Sequence, residues 1–148
     1  MKNLKSNKGF SLVELIIVIA IMAVLIGILA PQYLRYVEKS KVSADENLVE
    51  DLRTSAETAC ADPDTQIAAN FTITVNDSGT TVTGLDTTAL AYLENILPSD
   101  YEDGKLQSKT YKGTPVVIEV EFDDRDGDGI DEPIVTDDMN RNHSSSGN

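Results

Sequence analysis

The sequence predicts an α+β protein in which one long N-terminal helix lies across a small antiparallel sheet. From residue 12 to residue 30 every position is apolar or glycine except Glu14. Such a long apolar segment is typical of a membrane-spanning helix and not of the core of a soluble protein. Beyond Pro31 apolar residues recur at spacings of three, four and seven, the pattern of an amphipathic helix. Further on, β-branched residues alternate around turn sequences, which indicates paired strands. A helix and a sheet with one apolar face each bury those faces together.

The first apolar segment, residues 10–30, is long enough to cross a bilayer. At a rise of ~1.5 Å per residue it spans roughly 30 Å. A cleaved secretory signal is the alternative, and its peptidase requires small residues one and three positions before the cut. The only candidate bond follows Ala30, but the residue three positions before that bond is the bulky Ile28, and Pro31 directly follows the bond. Three lysines without an acid precede the segment, which favours a cytoplasmic N-terminus and a head outside the cytoplasm: Lys2, Lys5 and Lys8.

The helix is predicted to continue to about residue 61 as an amphipathic segment. Its apolar face carries Leu34, Val37, Ala44, Leu48, Leu52, Ala56 and Ala59. Its charged face carries Lys39, Lys41, Asp45, Glu46, Glu50, Asp51, Arg53 and Glu57. The helix ends at Asp62 and Pro63, because the residue before a proline is pushed away from the helical conformation.

A hairpin and a short helix are predicted next. Phe71–Val75 and Thr80–Thr83 are rich in β-branched residues and are separated by an Asn-Asp-Ser-Gly turn. Asp86 or Thr87 then caps a helix that ends at Pro98. Four apolar residues share one face of that helix: Leu90, Leu93, Ile96 and Leu97.

Three further segments are candidate strands. Residues 116–122 give the clearest alternation of apolar and acidic side chains. Residues 134–136 are expected to pair back on that strand across the intervening loop. Residues 105–112 are a weaker strand candidate.

The composition narrows the function. Asp and Glu number 25 against 12 for Lys and Arg, and the net charge of −13 excludes nucleic acid as a partner by repulsion. No hydrolase, metalloprotease or nucleotide-binding motif is present, and the single histidine, His143, lies in a polar tail, so no enzyme and no catalytic residue are expected. The lone Cys60 is either a half-buried helix residue or the site of a bridge between chains.

An acidic stretch before residue 133 matches the first half of an EF-hand calcium loop. The candidate ligands are Asp124, Asp126, Asp128, the Ile130 carbonyl and Glu132. The twelfth position, where the motif has a bidentate Glu, is Val135, so another acid would have to close the site. The alternative is a solvated acidic turn, since these residues also favour tight turns. Calcium is the only cofactor that the sequence suggests.

Residues 8–14, Lys-Gly-Phe-Ser-Leu-Val-Glu, resemble the processing site of type IV prepilins and the related pseudopilins. In that family a membrane peptidase cuts after the glycine and methylates the new N-terminus, which implies a cut between Gly9 and Phe10 and N-methylation of Phe10. The resemblance implies a leader peptide at 1–9, a transmembrane and polymerisation helix at 10–31, and a pilin head at 32–148 that includes the amphipathic half of the helix.

The cut would also explain Glu14. An unpaired carboxylate in hydrocarbon costs about 3 kcal/mol, and cleavage after Gly9 creates a partner, the amine of Phe10. In a bundle of such helices, Glu14 of one subunit can meet that amine on a neighbour, and a buried ion pair sets register. The alternative is that Glu14 lies near the membrane surface and snorkels or is protonated. Pro31 is either a kink that adapts the helix to a filament or a simple interfacial bend.

The resemblance therefore implies a structural subunit of a type IV pilus-like filament, a helical homo-oligomer assembled through Phe10, Glu14 and Pro31. The expected partners are the prepilin peptidase and methylase, the pilus assembly platform and other pilins. The expected location is the cytoplasmic membrane, with one span, and then an extracellular filament. Two alternatives remain: a pseudopilin of a type II secretion-like system, against which the lack of tryptophan weighs, and a membrane-anchored calcium-binding surface protein.

Overall fold

The computed structural model describes residues 9–62, 67–124 and 132–139. The chain forms two compact units, Met1–Val37 and Glu38–Asn148. Within the described ranges the first unit holds the apolar part of a long helix, and the second holds its amphipathic part, a four-stranded antiparallel sheet and a second α-helix. The predicted α+β class is confirmed.

Helix α1 runs over Leu12–Ala61, a length of 50 residues. The helix continues through Pro31, and it ends one residue before Asp62, as the Asp-Pro sequence predicts. In the second unit its buried positions are Asp45, Val49, Leu52, Ala56 and Ala59, which follow one another at spacings of four and three.

The buried face of α1 differs from the predicted one at its beginning. Leu34 and Ala44, which were predicted on the apolar face, are exposed. Asp45, which was predicted on the charged face, is only 2% exposed. The prediction is wrong here because a segment distant in sequence packs on this turn and supplies hydrogen bonds to the Asp45 carboxylate.

The sheet has the strand order β2-β1-β3-β4, and its strands are β1 (Phe71–Val75), β2 (Thr80–Thr83), β3 (Val116–Asp123) and β4 (Glu132–Asp137). All neighbouring pairs are antiparallel. The predicted β1–β2 hairpin is confirmed, and so is the pairing of the last strand with the strand before it. In the hairpin turn the Asn76 side-chain oxygen accepts hydrogen bonds from the backbone N–H groups of Ser78 and Gly79, at 2.8 and 3.0 Å.

Helix α2 runs over Thr87–Ile96 and begins at the predicted cap. Asp86 Oδ1 accepts hydrogen bonds from the backbone N–H groups of Thr88 and Ala89, at 2.9 and 2.8 Å. Leu93 and Leu97 are buried, so the predicted apolar face faces the core.

The predicted strand at 105–112 is wrong, because this segment joins no sheet. It follows a 3₁₀ turn at Tyr101–Asp103 and lies along α1. Its N–H groups at Gln107 and Ser108 donate to a side-chain carboxylate instead of a neighbouring strand. We name residues 105–112 the strap.

The core of the second unit joins α1, α2, the strap and the inner face of the sheet. Its fully buried side chains include Leu52, Ile73, Val75, Leu93, Tyr111, Val116, Ile118 and Val120. Each central strand contributes alternate residues, as a sheet with one face on a core requires. The outer face of the sheet therefore carries the polar residues of β1 and β3.

Candidate functional site

The candidate site is the beginning of α1, where the predicted cut, the residue predicted to be methylated and the Glu14 carboxylate follow one another. Gly9 and Phe10 precede the helix, and the Phe10 side chain is 91% exposed. A Cβ atom built at Gly9 meets no heavy atom of the described residues within 4 Å. The bond between Gly9 and Phe10 is therefore unobstructed within the described part of the chain.

Glu14 has a partner in its own chain. Its Oε2 accepts a hydrogen bond from the backbone N–H of Ser11 at 3.0 Å. Ser11 is the residue before the first helical residue and Glu14 is the third residue of the helix, so this is half of a capping box. Sequence reasoning missed this role, although Ser-x-x-Glu before an apolar run is the signal for it.

The helix that follows Glu14 presents apolar side chains all around its circumference. From Leu12 to Leu29 each large apolar side chain is between 50% and 72% exposed. Within the described residues, this is one helix that is long and apolar enough to cross a membrane, by length and composition. Such a surface is stable only in lipid or against other apolar helices.

Pro31 lies inside α1 and has no N–H to donate to the carbonyl four residues earlier, which is that of Gly27. A Cβ atom built at Gly27 meets no heavy atom of the described residues within 4 Å. The helix thus has one missing backbone hydrogen bond and one residue of low helix propensity within a single turn. This is the turn of α1 that bends most easily.

Comparison with known proteins finds sequences similar to this segment. Residues 4–30, which include Gly9, Phe10 and Glu14, match the family described as the prokaryotic N-terminal methylation motif. The type IV major fimbrial protein FimA of Dichelobacter nodosus is 44% identical over 62 residues. Part of the chain is therefore similar to type IV fimbrial proteins, and its N-terminal segment carries the methylation motif. The predicted type IV pilin resemblance is confirmed over this segment.

The similarity to these pilins is confined to part of each chain. The FimA match covers 42% of this chain and 38% of the relative. A fimbrial protein of Pseudomonas aeruginosa is 43% identical over 56 residues, which are 38% of this chain and 36% of that protein. A fimbrial protein of Moraxella nonliquefaciens is 42% identical over 55 residues, 37% of this chain and 36% of that protein. The chain therefore spans little more than a third of the length of these relatives. No solved structure matches it.

The predicted calcium ligands lie in the connection between β3 and β4. Asp124 directly follows β3, and Glu132 begins β4, where it pairs with Asp123 across the base of the loop. Asp126, Asp128 and Ile130 lie outside the described residues, and within the described ones there is no group of three or more His, Cys, Asp or Glu that could hold a metal ion. The calcium site remains a prediction.

A second carboxylate of structural importance was not predicted. Asp45 Oδ1 accepts a hydrogen bond from the Gln107 N–H at 2.8 Å, and Oδ2 accepts one from the Ser108 N–H at 2.9 Å. About two helical turns earlier, Glu38 Oε1 accepts a hydrogen bond from the Lys109 N–H. Two carboxylates of α1 thus hold three consecutive N–H groups of the strap.

Two side chains near the core have shifted acidities. Burial raises the pKa of Cys60 to about 11, so its thiol is protonated at neutral pH, and its half-buried position agrees with one of the two interpretations of this residue. Burial raises the pKa of Tyr111, and the carboxylates of Glu46 and Asp45 raise it further. Neither group is prepared for nucleophilic or acid–base chemistry at neutral pH.

Proposed function

We propose that the chain is a structural subunit of a type IV pilus-like filament. It is anchored in the cytoplasmic membrane with its head outside before assembly, and it belongs to an extracellular filament afterwards. The observation that carries this proposal is a methylation-motif N-terminus on a helix whose apolar surface is exposed all around. In lipid that surface is covered before assembly, and in a bundle of identical helices it is covered afterwards.

Processing follows from the same segment. The prepilin peptidase cuts between Gly9 and Phe10 and the methylase modifies the Phe10 amine. The assembly platform and other pilins are the partners of the mature chain. The names of the relatives, fimbrial protein and type IV major fimbrial protein, support a structural role over an enzymatic one.

Glu14 and the new amine of Phe10 form the ion pair that guides assembly. In the uncut chain Glu14 Oε2 is held by the N–H of Ser11, the residue next to that future amine. The carboxylate therefore already lies beside the site where the positive charge will appear. An amine on a neighbouring subunit then replaces a neutral donor with a charged one, and charge-assisted hydrogen bonds are the stronger kind.

Processing and export are tested together by intact mass and N-terminal analysis of the chain from membrane and sheared surface fractions of a producing cell. We expect N-methyl-Phe10 as the first residue in the surface fraction. A chain that keeps residues 1–9 and stays in the membrane would overturn the proposal and favour an anchored surface protein. Processed chain that stays in the envelope would instead favour a secretion pseudopilin.

The ion pair is tested with Glu14→Ala and Glu14→Gln. Glutamine keeps a side-chain oxygen for the Ser11 N–H and loses the charge, whereas alanine loses both. We expect both variants to be cut but to give filaments in at least about tenfold lower yield, because neither has a charge to pair with the amine. If Glu14→Gln assembles as the unmodified chain does, the carboxylate serves only as a helix cap.

Calcium binding by the β3–β4 loop belongs to the proposal as a feature of the head. It is supported by the alternating acids of the sequence and by the antiparallel pairing that closes the loop at Asp123 and Glu132. Calcium at 1 mM or so should raise the melting temperature of the detergent-solubilised chain by about 2–8 °C, and Asp126→Asn with Asp128→Asn should abolish that rise. An equal rise in the double variant would mean that the loop is an ordinary acidic turn.

A further inference from the structure

The lysines of the head are gathered in one place. Within the described part of the second unit, every lysine lies either on the strap or on the turn of α1 with which this unit begins; they are Lys39, Lys41, Lys105, Lys109 and Lys112. The strap is held on α1 at Glu38, next to Lys39, through the Lys109 N–H. We call these five exposed lysines the basic patch.

Among the described residues, none of these five lysines forms an ion pair. Between described residues, ion pairs form only around Arg53, with Glu50, Glu57 and Asp137. In a chain with a net charge of −13, five exposed lysines outside the ion pairs of the described residues are the exception to the prevailing negative charge. The basic patch is therefore a surface to which a negatively charged partner would be steered.

A surface of opposite charge lies on the outer face of the sheet. Glu119, Glu121 and Asp123 alternate with the buried residues of β3, so they form one row of exposed carboxylates. Glu132 on β4 stands directly opposite Asp123 and extends the row. We call these four residues the acidic face. Like charges at such spacing repel one another, so a positively charged partner would stabilise them.

The two surfaces lie toward different ends of β3. Val116 begins the strand just after the strap, whereas Asp123 ends it roughly 23 Å away at about 3.3 Å per residue. The end of the acidic face, Asp123 and Glu132, therefore lies a strand's length away from the residue that begins β3 after the strap. Two complementary surfaces at different places on one molecule form a heterologous contact, which repeats into a ring or an open helix.

We propose that the basic patch of one subunit docks on the acidic face of a second copy of this chain. The inference rests on the proposed function, because it supplies a contact between heads in the filament. The occupant is a second copy because the chain itself offers an exposed row of carboxylates of the opposite charge. Register between heads is then set by these charges, in addition to the contact made by the N-terminal helices.

The test uses charge reversal in the full chain in a producing cell. Lys105→Glu with Lys112→Glu reverses part of the basic patch, and Glu119→Lys with Glu121→Lys reverses part of the acidic face. A third variant carries all four changes, which exchanges the signs and leaves the net charge unchanged. The control is Asp51→Lys with Asp77→Lys, which changes the net charge as much as the acidic-face variant does, at exposed positions outside both surfaces.

We expect each reversal alone to lower the yield of sheared filaments about fivefold or more, since it places like charges opposite each other. The four-fold variant should recover to within about twofold of the unmodified chain, as should the control. If the four-fold variant does not accumulate in the membrane, co-production of the two reversal variants supplies the same test, because each then offers the other a complementary surface.

The remaining outcomes overturn the inference. Normal yield from both reversals would mean that the heads need no such contact. Loss in the lysine variant alone, with less subunit held in membranes and no recovery in the four-fold variant, would assign the basic patch to anionic lipid headgroups. The proposed function is judged separately, by whether the unmodified chain forms surface filaments at all.

Discussion

Asp45 shows how one carboxylate organises the head from within. Its two oxygens accept from two consecutive N–H groups of the strap, and the side chain is 2% exposed. A buried carboxylate is tolerated only when its hydrogen-bonding capacity is used, and a buried N–H has the same requirement. The pair of bonds therefore fixes the strap on α1 as firmly as an apolar contact would.

Removal of this carboxylate should destabilise the head. We expect Asp45→Ala to lower the free energy of unfolding by about 2–4 kcal/mol, because one buried and one part-buried N–H group lose a charged acceptor. Asp45→Asn keeps one acceptor oxygen, so its free energy of unfolding should lie between that of the unmodified chain and that of Asp45→Ala. Asp51→Ala on the exposed side of α1 is the control and should change stability by less than about 0.5 kcal/mol. Urea unfolding of the detergent-solubilised chain measures all three, and equal effects at positions 45 and 51 would contradict the assigned role.

Among the elements, those with local signals were predictable and the strap was not. The β1–β2 hairpin is specified by its Asn-Asp-Ser-Gly turn, and α2 by the cap at Asp86, and both signals lie within a few residues of the element. The strap has only two apolar residues, Leu106 and Tyr111, and its Gln107 N–H bonds to an acid 62 residues earlier in the chain. No pattern within 105–112 reveals that partner.

The functional residues also fall into those that a local sequence pattern predicts and those that only the structure reveals. The methylation motif is linear, so the sequence alone places Gly9, Phe10 and Glu14. The second role of Glu14, as acceptor for Ser11, is also local and could have been predicted from Ser-x-x-Glu. The basic patch depends on how the strap lies on α1, and it required the structure.

The turn after β2 gives a prediction for a single glycine. Gly84 has a φ of +100°, and a Cβ atom there would lie 2.8 Å from the Asn70 carbonyl oxygen and 3.0 Å from Phe71 Cα. We expect Gly84→Ala to destabilise the head by about 3 kcal/mol, from backbone strain and a clash with main-chain atoms.

Gly113 is the matched control for this effect. Its φ is +77°, and a Cβ atom there meets nothing within 4 Å among the described residues. Gly113→Ala should therefore cost only about 1 kcal/mol, the penalty of the left-handed conformation. Thermal unfolding followed by circular dichroism separates the two, and a larger loss for Gly113→Ala would contradict the close approach at Gly84.

On the scale of the whole molecule, the head is governed by its excess of carboxylates. The net charge is −13 at pH 7 and the isoelectric point is about 4.3. Repulsion between such chains keeps them apart except where opposite charges are aligned, as in the contact proposed between the basic patch and the acidic face. Because most of the charged surface is negative, the few exposed lysines mark the places where another negatively charged chain can bind.

This charge predicts pH-dependent association of the whole chain. We expect the detergent-solubilised protein to remain dispersed at pH 7 and to associate without order near pH 4.3, because protonation of the carboxylates removes the repulsion. Turbidity and sedimentation across this range provide the measurement. Asp51→Lys with Asp77→Lys should move the onset to higher pH, and an unchanged onset would show that association does not follow net charge.

The hydrogen bond between Ser11 and Glu14 has a consequence for the energetics of growth. The Glu14 carboxylate of a single chain is not bare, since the backbone N–H of Ser11 already occupies one oxygen. Joining a filament in the proposed way is then an exchange of one donor for another, and leaving it is the reverse exchange. Exchanging one hydrogen-bond donor of Glu14 for another changes the free energy of assembly by far less than exposing its charge to lipid would.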